Sequence, residues 1–413
     1  MIFHFRQIDI DFNTRGFVIG MKESFLSKLR LIFTAAVLSV CAAAGGCFHS
    51  AKLPPLEEAA GQMLIVGVRG ERVNAEIAAL LSEVKPGGII LFDYDLPSHG
   101  AKPRNISSPA QLKEFTRELQ RASAEGLFIA ADVEGGKVNR LKKHLGFSVS
   151  APSAKEMGKE GAEAVFSSAS EIARELKSFG INFNLAPVAD VDINPESPAV
   201  GKLGRSFSRD PETVARLAAE FVKAHHRQGV ITCLKHFPGH GSATADTHTG
   251  VADITNTYDR RAELLPYKRL IDGGYKNPVM TAHVINRNLD DKPATLSRKT
   301  LTGILRGELG FTGVIVSDDM QMEAVAQRYG LEKAAVMAVS AGADIIVIGN
   351  QIGGGYDKNA AGRVRDAIVK AVRDGVITAE EVYDSYRRIM ELKKRYGITP
   401  RPRGVLETAP PVG

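Results

Sequence analysis

Eight short apolar runs rich in valine and isoleucine recur along the chain, and their spacing constrains the fold more than any other feature. Between most of them lie stretches of helical period, such as PAQLKEFTRELQRA (109–122) and PETVARLAAEFVKAHHRQ (211–228). This alternation is typical of buried parallel strands joined by crossover helices. It predicts an α/β fold, a single (β/α)8 TIM-type barrel over residues 48–396, with a doubly wound open sheet as the alternative. The runs are MLIVGV (from Met63), GGIILF (Gly87), LFIAAD (Leu127), INFNLAPV (Ile181), VITCLKHF (Val230), PVMTAHV (Pro278), GVIVSD (Gly313) and ADIIVIG (Ala343).

The excess of basic residues lies at the two ends of the chain. The 413 residues carry a formal net charge of +6, but lysine and arginine outnumber the acidic residues mainly in 1–47 and 393–413. The segment between these ends is nearly neutral. Nucleic-acid binding requires basic residues clustered on one face, so no nucleic-acid partner is predicted. The proline-rich segment 397–413 is predicted to form a mobile tail.

Residues 1–47 have the pattern of an N-terminal extension followed by a lipoprotein-type signal peptide. The basic stretch KESFLSKLR precedes LIFTAAVLSVCAAAGGC, an apolar run of signal-peptide length. The Ala-Gly-Gly before Cys47 resembles a bacterial lipobox, which predicts lipidation of Cys47 and an exported, membrane-anchored protein. A start at Met21 and a buried N-terminal helix are the alternatives. With Cys47 lipidated, Cys233 is the remaining thiol of the mature body and no intrachain disulfide is expected.

Polar residues stand at the ends of several of the predicted strands. The active site of a (β/α)8 barrel lies at the C-terminal ends of its strands, where residues from different strands converge. An aspartate in such a position alone often caps the next helix, and a lone histidine is more often a satisfied core residue. Together they predict a site on one rim of the barrel. The residues are Asp132, Asp190, Lys235, His236, His283 and Asp318.

The stretch KHFPGHGSATADTHTG (235–250) follows the fifth predicted strand and carries the densest set of proton-handling groups. Its glycines and proline prevent regular structure and allow the backbone to fold closely around a ligand. Asp246 and His248 are two residues apart, so the carboxylate can orient the imidazole and produce a proton carrier for neutral pH. Metal binding by His236, His240, Asp246 and His248 is the competing use. It is disfavoured because the Pro-Gly pair keeps the His-x-x-x-His spacing off a helix face, and no metal or cofactor is predicted.

These motifs resemble glycoside hydrolase family 3, in particular its bacterial β-N-acetylglucosaminidase (β-N-acetylhexosaminidase) branch. The resemblance rests on KHFPGHG with its following Asp-x-His and on VSDDM. It extends from about Leu56 to about Tyr396 through ADVEGGKVNRL, GRSFSRDP and MTAHV, in the order of the family. The branch is a single barrel with a histidine acid/base on a loop, so residues 48–396 are expected to form the catalytic domain.

The resemblance implies a role for individual residues and a retaining reaction. A retaining glycosidase uses one carboxylate as nucleophile, and a second group first donates and then accepts a proton. The implied function is a retaining exo-β-N-acetylglucosaminidase acting on peptidoglycan-derived sugars, with a carbohydrate substrate and a membrane anchor as its partners. The resemblance makes Asp318 the nucleophile, His248 the acid/base and Asp246 its partner, and the terminal sugar is held by Asp132, Arg140, Arg205, Lys235 and His236.

Three other functions fit the same residues. A β-glucosidase or β-xylosidase of the same fold, a metal-dependent barrel hydrolase and a non-catalytic sugar-binding lipoprotein remain as alternatives. The sequence also departs from the family near the proposed centre. Ser242 and Ala243 follow KHFPGHG where relatives usually show Asp-Thr, and Gln321 replaces a small hydroxyl residue. The irregular segment 93–109 after the second strand is expected to shape the substrate groove.

Replacing Cys47 by serine tests the predicted anchor. The variant should be soluble or unprocessed, because a lipid supplies the membrane affinity that the nearly neutral body lacks. Membrane fractionation and the mass of the mature N-terminus measure the outcome. Wild-type protein found in the cytoplasm with an intact N-terminus would contradict the prediction.

Overall fold

The computed structural model describes residues 53–247, 250–351 and 355–399. The predicted signal peptide with Cys47, the predicted acid/base His248 and the end of the predicted tail lie outside the described residues. In the described ranges, no helix is both long and apolar enough to cross a membrane. Ile398, within the segment predicted as a tail, is buried and donates its backbone N–H to the Lys393 carbonyl (2.8 Å).

The described residues form thirteen strand segments, most of them short. Most segments are buried along their whole length, and in β1, β2, β3 and β13 this burial explains the unbroken apolar sequence. The segments are β1 (Leu64–Gly67), β2 (Gly88–Ile90), β3 (Phe128–Ala131), β4 (Val133–Gly135), β5 (Val138–Asn139), β6 (Phe183–Asn184), β7 (Ile231–Thr232), β8 (Leu234–Phe237), β9 (Ala252–Asp253), β10 (Val279–Thr281), β11 (Val284–Ile285), β12 (Ile315–Asp319) and β13 (Ile345–Ile348).

Nine of these segments form one parallel sheet that almost closes into a barrel. The sheet runs in the order β7-β6-β3-β2-β1-β13-β12-β10-β8. Its two ends, β7 and β8, are separated in the chain by Cys233 alone, so they act as one strand that pairs with β6 on one side and β10 on the other. Because the ends of the sheet meet in this way, the α/β fold with a parallel barrel is confirmed, and the open-sheet alternative is wrong.

Helices cover the outside of the barrel. Their starts follow standard capping chemistry: the Ser108 side chain accepts from the Gln111 backbone N–H, and Ser153 and Thr378 each form a capping box. The helix predicted for residues 109–122 has these bounds, and the one predicted for 211–228 ends one residue earlier. The α-helices are Leu56–Gln62, Ala75–Glu83, Pro109–Ala122, Ala154–Glu160, Ala162–Ser178, Pro211–Arg227, Arg260–Asp272, Glu323–Tyr329, Leu331–Ala341, Ala360–Arg373 and Ala379–Arg395, with a π-helix at Lys299–Glu308 and 3-10 turns at Leu96–Ser98, Lys143–Leu145 and Ala294–Leu296.

The fourth predicted strand is shorter than its apolar run. Only Phe183 and Asn184 of residues 181–188 form β6. Pro187 has no backbone N–H to donate to a ladder, which limits the strand. The chain regains the barrel at Val188, which forms an isolated parallel bridge with Lys235. This bridge brings the segment after β6 beside the end of β8, where the predicted site begins.

A buried carboxylate secures the end of the barrel opposite the predicted site. Asp344, directly before β13, has no exposed surface. Its oxygens accept from Arg306 (2.6 Å), Arg388 (2.7 Å) and Ser385 (2.9 Å), and from the backbone N–H of Ile315 (2.7 Å). Asp344 therefore joins β12 and β13 to the π-helix and to the helix Ala379–Arg395. The predicted site lies at the opposite rim of the barrel.

Candidate active site

A large cavity opens at the C-terminal ends of the barrel strands. Its volume is about 780 Å³, within the range of small-molecule sites. The cavity is lined by seven of the eight residues predicted to bind or cleave a sugar; the eighth, His248, lies outside the described residues. The seven are Asp132, Arg140, Arg205, Lys235, His236, Asp246 and Asp318.

Lys235 is the centre of the polar wall of this cavity. It extends from β8, and its side chain is 2% exposed. Its Nζ lies 2.8 Å from Asp132 Oδ1 and 2.7 Å from Glu134 Oε1. Burial alone would lower the pKa of Lys235, but the two carboxylates outweigh burial and raise it. The buried ammonium therefore stays charged.

Glu134 completes this network, although the sequence did not single it out. Arg205 binds its carboxylate through two hydrogen bonds, from Nε (2.9 Å) and Nη2 (2.7 Å), and donates Nη1 to the Ala199 carbonyl (2.8 Å). Burial would raise the pKa of Glu134, but Arg205 and Lys235 hold it well below its ordinary value. The signal was available in the Asp-x-Glu spacing, because residues two apart in an extended segment face the same side.

Asp190 orients two histidines of the KHFPGHG motif. Its Oδ2 contacts His236 Nδ1 (2.7 Å), and its Oδ1 accepts from the backbone N–H groups of His236 (3.1 Å) and His240 (2.9 Å). Burial would raise the pKa of Asp190, but the interaction with His236 outweighs burial and lowers it. The other ring nitrogen of His236 lies 3.3 Å from Arg205. Asp190 thus fixes the ring that the sequence assigned to sugar binding.

Arg140 connects this polar wall to aromatic residues. Its guanidinium lies 3.6 Å from Asp132 and 3.4 Å from Asp93. It also stacks 5.5 Å from the ring centre of Phe92 and 5.9 Å from that of Tyr94. Burial would lower the pKa of Arg140, but the neighbouring aspartates raise it. Arg140 is therefore in contact with both carboxylates and aromatic rings.

The two aspartates at the end of β12 have different environments. Asp318 lines the cavity and accepts a hydrogen bond from the backbone N–H of Asp319 (2.8 Å). Asp319 Oδ1 accepts from the backbone N–H groups of Gln321 (3.0 Å) and Gly349 (3.0 Å). Asp319 therefore ties β12 to the chain after β13 and keeps the position of Asp318 fixed.

His283 has a structural role in this rim. Its ring spans Thr295 Oγ1 and the Asp319 carbonyl, each 2.9 Å away. His283 has no exposed surface and supports β12 through its contact with the Asp319 carbonyl. Of the two histidines predicted at strand ends, His236 is the one that lines the cavity. Within the described ranges, no group of three or more histidine, cysteine, aspartate or glutamate residues is arranged to hold a metal ion.

The sequence of residues 55–392 matches the profile of the family described as Glycosyl hydrolase family 3 N terminal domain. The match covers most of the chain. The chain belongs to glycoside hydrolase family 3. The resemblance inferred from KHFPGHG and VSDDM is therefore confirmed.

Relatives of this family 3 chain carry names that refer to hexosaminidase activity. It is 36% identical to a β-hexosaminidase of Idiomarina loihiensis, over 75% of this chain and 88% of the relative. It is 32% identical to β-hexosaminidase A of Pseudoalteromonas piscicida, over 78% of this chain and 55% of that relative. A family 3 β-N-acetylglucosaminidase structure from Paenibacillus sp. superimposes with a TM-score of 0.76 at 34% identity, covering 86% of this chain and 65% of that one.

The KHFPGHG loop of this family 3 chain rests on a buried carboxyl group. Glu263, on the helix Arg260–Asp272, has no exposed surface, and its Oε2 accepts from the Gly241 backbone N–H (3.3 Å). Gly239 has φ +134°, and a Cβ there would lie 2.1 Å from Glu263 Oε2. The glycine is therefore required both by its backbone angle and by the packing of Glu263. Tyr258 supports the same loop by donating to the Pro238 carbonyl (3.1 Å).

Burial makes Glu263 a weak acid. It raises the pKa of the carboxyl group from its ordinary 4.5 to about 8. Glu263 Oε1 has no hydrogen-bond partner among the described residues, which leaves one oxygen of the ionised form without a hydrogen bond there. The neutral form is the one that fits beneath the loop.

Glu263→Gln should remove a pH-dependent loss of stability. Because the folded-state pKa of about 8 lies above the ordinary 4.5, this stabilisation is fully present below about pH 4.5 and is lost as the pH rises through about 8. The melting temperature of the wild type should therefore fall more steeply than that of Glu263→Gln between about pH 5 and about pH 9. Glu220→Gln, on the surface of the helix Pro211–Arg227, is the control and should follow the wild type. Equal pH slopes in all three proteins would rule out this role.

Proposed function

We propose that this family 3 chain is a retaining exo-β-N-acetylglucosaminidase that removes terminal β-linked N-acetylglucosamine from peptidoglycan-derived sugars. One observation carries the proposal. Two carboxylates, Asp318 and Asp246, line the same cavity as a network of lysine, arginine and histidine side chains. The hexosaminidase names of its relatives support the choice of sugar.

The charges of the polar wall suit an uncharged sugar. Each of its cations has a carboxylate partner: Lys235 has Asp132 and Glu134, Arg205 has Glu134, and Arg140 has Asp132 and Asp93. The wall as a whole therefore offers directed hydrogen bonds with little net charge. Such a surface matches hydroxyl and acetamido groups, which both donate and accept.

In the first step, the Asp318 carboxylate attacks the anomeric carbon of the terminal sugar. The bond from that carbon to the leaving oxygen breaks, and the oxygen takes a proton from His248. Asp246 is the partner of His248 in this proposal and stabilises the protonated ring. In the second step, water gives a proton to His248 and attacks the same carbon, which releases Asp318 and the sugar with retained configuration.

We also propose that the protein is exported and anchored to the membrane through a lipid on Cys47. The proposal rests on the basic and apolar pattern before Ala-Gly-Gly-Cys. It agrees with a peptidoglycan-derived substrate, because such sugars are released outside the cytoplasmic membrane.

Side-by-side assays separate the proposal from its alternatives. Aryl β-glycosides of N-acetylglucosamine, glucose and xylose should show a preference for the first sugar, with equal rates in the presence and absence of a chelator. A preference for glucose or xylose would favour the other glycosidases of this fold. Loss of activity in chelator would favour a metal-dependent hydrolase, and binding without turnover would favour a sugar-binding lipoprotein.

Asp318→Ala should abolish nearly all turnover, because the covalent intermediate cannot form without the carboxylate. A slow fluorinated substrate should label Asp318, as detected by peptide mass spectrometry. Asp319→Asn is the control at the neighbouring residue, and the fluorinated substrate should still label Asp318 in this variant. Labelling at another residue, or strong inhibition by thiazoline mimics of acetamido participation, would contradict the assignment.

His248→Ala should affect substrates according to their leaving groups. A sugar is a poor leaving group and requires protonation, whereas nitrophenolate leaves with little help, so kcat/KM for natural disaccharides should fall far more. General acid catalysis is worth on the order of 10² to 10⁴ in rate, which sets the expected gap. Asp246→Asn should act in the same direction, since the ring loses the carboxylate that orients it. Equal losses on both substrate types would mean that His248 only positions the sugar.

A further inference from the structure

The cavity has a second, apolar wall that the proposed chemistry does not use. Tyr94 and Leu96 lie in the segment after β2 and line the same cavity as the polar network. Their side chains are large and apolar, yet 41% and 37% of their surfaces are exposed. Met322, which precedes the helix Glu323–Tyr329, and Ala326 and Gln327 within that helix line the cavity as well. The cavity therefore extends beyond the charged pocket to an exposed aromatic surface.

The segment that carries Tyr94 and Leu96 is held by a buried ion pair. Arg104, with no exposed surface, donates to Asp95 (2.7 Å) and to the carbonyls of Val68 (2.7 Å) and Asn350 (2.8 Å). Arg69 binds the other oxygen of Asp95 at 2.6 Å. Asp95 lies between Tyr94 and Leu96 in the chain, so the anchor fixes the backbone that carries both side chains. The apolar wall is therefore ordered before any ligand binds.

Two further contacts set the position of the wall relative to the polar network. Gln351 joins it to the chain after β13: its side-chain oxygen accepts from the Leu96 backbone N–H (3.2 Å), and its amide donates to the Tyr94 carbonyl. Arg140 lies 5.9 Å from the centre of the Tyr94 ring and 3.6 Å from Asp132. One side chain thus borders both the charged pocket and the aromatic ring.

We propose that Tyr94 and Leu96 form a second sugar subsite, which binds the pyranose ring on the leaving-group side of the scissile bond. This inference rests on the proposed function, since the charged pocket must hold the terminal sugar. A pyranose ring has one face rich in C–H groups, and an exposed, ordered aromatic ring offers it a flat apolar surface at little entropic cost. The chemistry is that of a neutral ring face, which a chitin-type sugar and a peptidoglycan-type sugar share.

Tyr94→Ala tests the subsite with substrates that do or do not carry a second ring. The ring-bearing substrates are N,N′-diacetylchitobiose and N-acetylglucosaminyl-β-1,4-N-acetylmuramic acid; N-acetyl-β-glucosaminyl azide has a leaving group without a ring. We expect kcat/KM to fall about tenfold on the disaccharides, and the azide to change by less than about twofold. Tyr94→Phe should retain wild-type values, because it keeps the flat ring. The disaccharide that wild type cleaves faster identifies the source of the second sugar.

Val376→Ala is the matched control, since Val376 is 62% exposed and lies outside the cavity lining. It should leave all three substrates unchanged. Equal losses on the azide and the disaccharides would overturn the subsite, because Tyr94 would then act on the terminal sugar or on the fold. Unchanged disaccharide cleavage would overturn it as well. Wild-type protein that cleaves none of the three substrates would instead refute the proposed function, and the subsite with it.

Discussion

The buried ammonium group of Lys235 is the interaction on which the candidate site depends. It joins Asp132, at the end of β3, to Glu134 in β4, and Glu134 in turn holds Arg205. Removing one member would leave a buried charge without compensation, which typically costs about 3–5 kcal/mol. The pairing therefore couples the geometry of the candidate site to the integrity of the barrel rim. A substitution of Lys235 should be judged by folding as well as by activity.

Two of the three residues that depart from the usual family motif, Ala243 and Gln321, make defined local contacts. Ala243, where relatives usually carry a larger polar residue, belongs to a small buried apolar cluster with Ile254 and Val284. Gln321, in place of a hydroxyl residue, accepts from the Asn350 backbone N–H at 2.7 Å and so closes the rim between two strands. Both changes therefore have local partners and leave Asp318 at the cavity wall.

Much of the fold and part of the site follow from local sequence, and the rest depends on long-range contacts. The apolar runs predicted the strands, and the polar residues after them predicted the rim, because strand ends of a parallel barrel converge. The Asp-x-Glu spacing could have placed Glu134 beside Asp132, but its pairing with Arg205 is a long-range contact. The role of Glu263 likewise depends on a partner distant in sequence, Gly241. The interruption between β7 and β8 also depends on long-range contacts. The first part of this apolar run, β7, pairs with β6, and the second part, β8, pairs with β10.

Cys233, at that interruption, is buried, which makes selective labelling of an introduced cysteine feasible. It is the single cysteine of the described residues, it has no exposed surface, and burial raises the pKa of its thiol well above the ordinary value. A thiol reacts as the thiolate and only where reagents reach it, so Cys233 is inert toward oxidants and maleimides. A cysteine introduced on the rim of a mature chain would thus take a fluorophore or spin label selectively, and loop movements during turnover could be followed in an otherwise native enzyme.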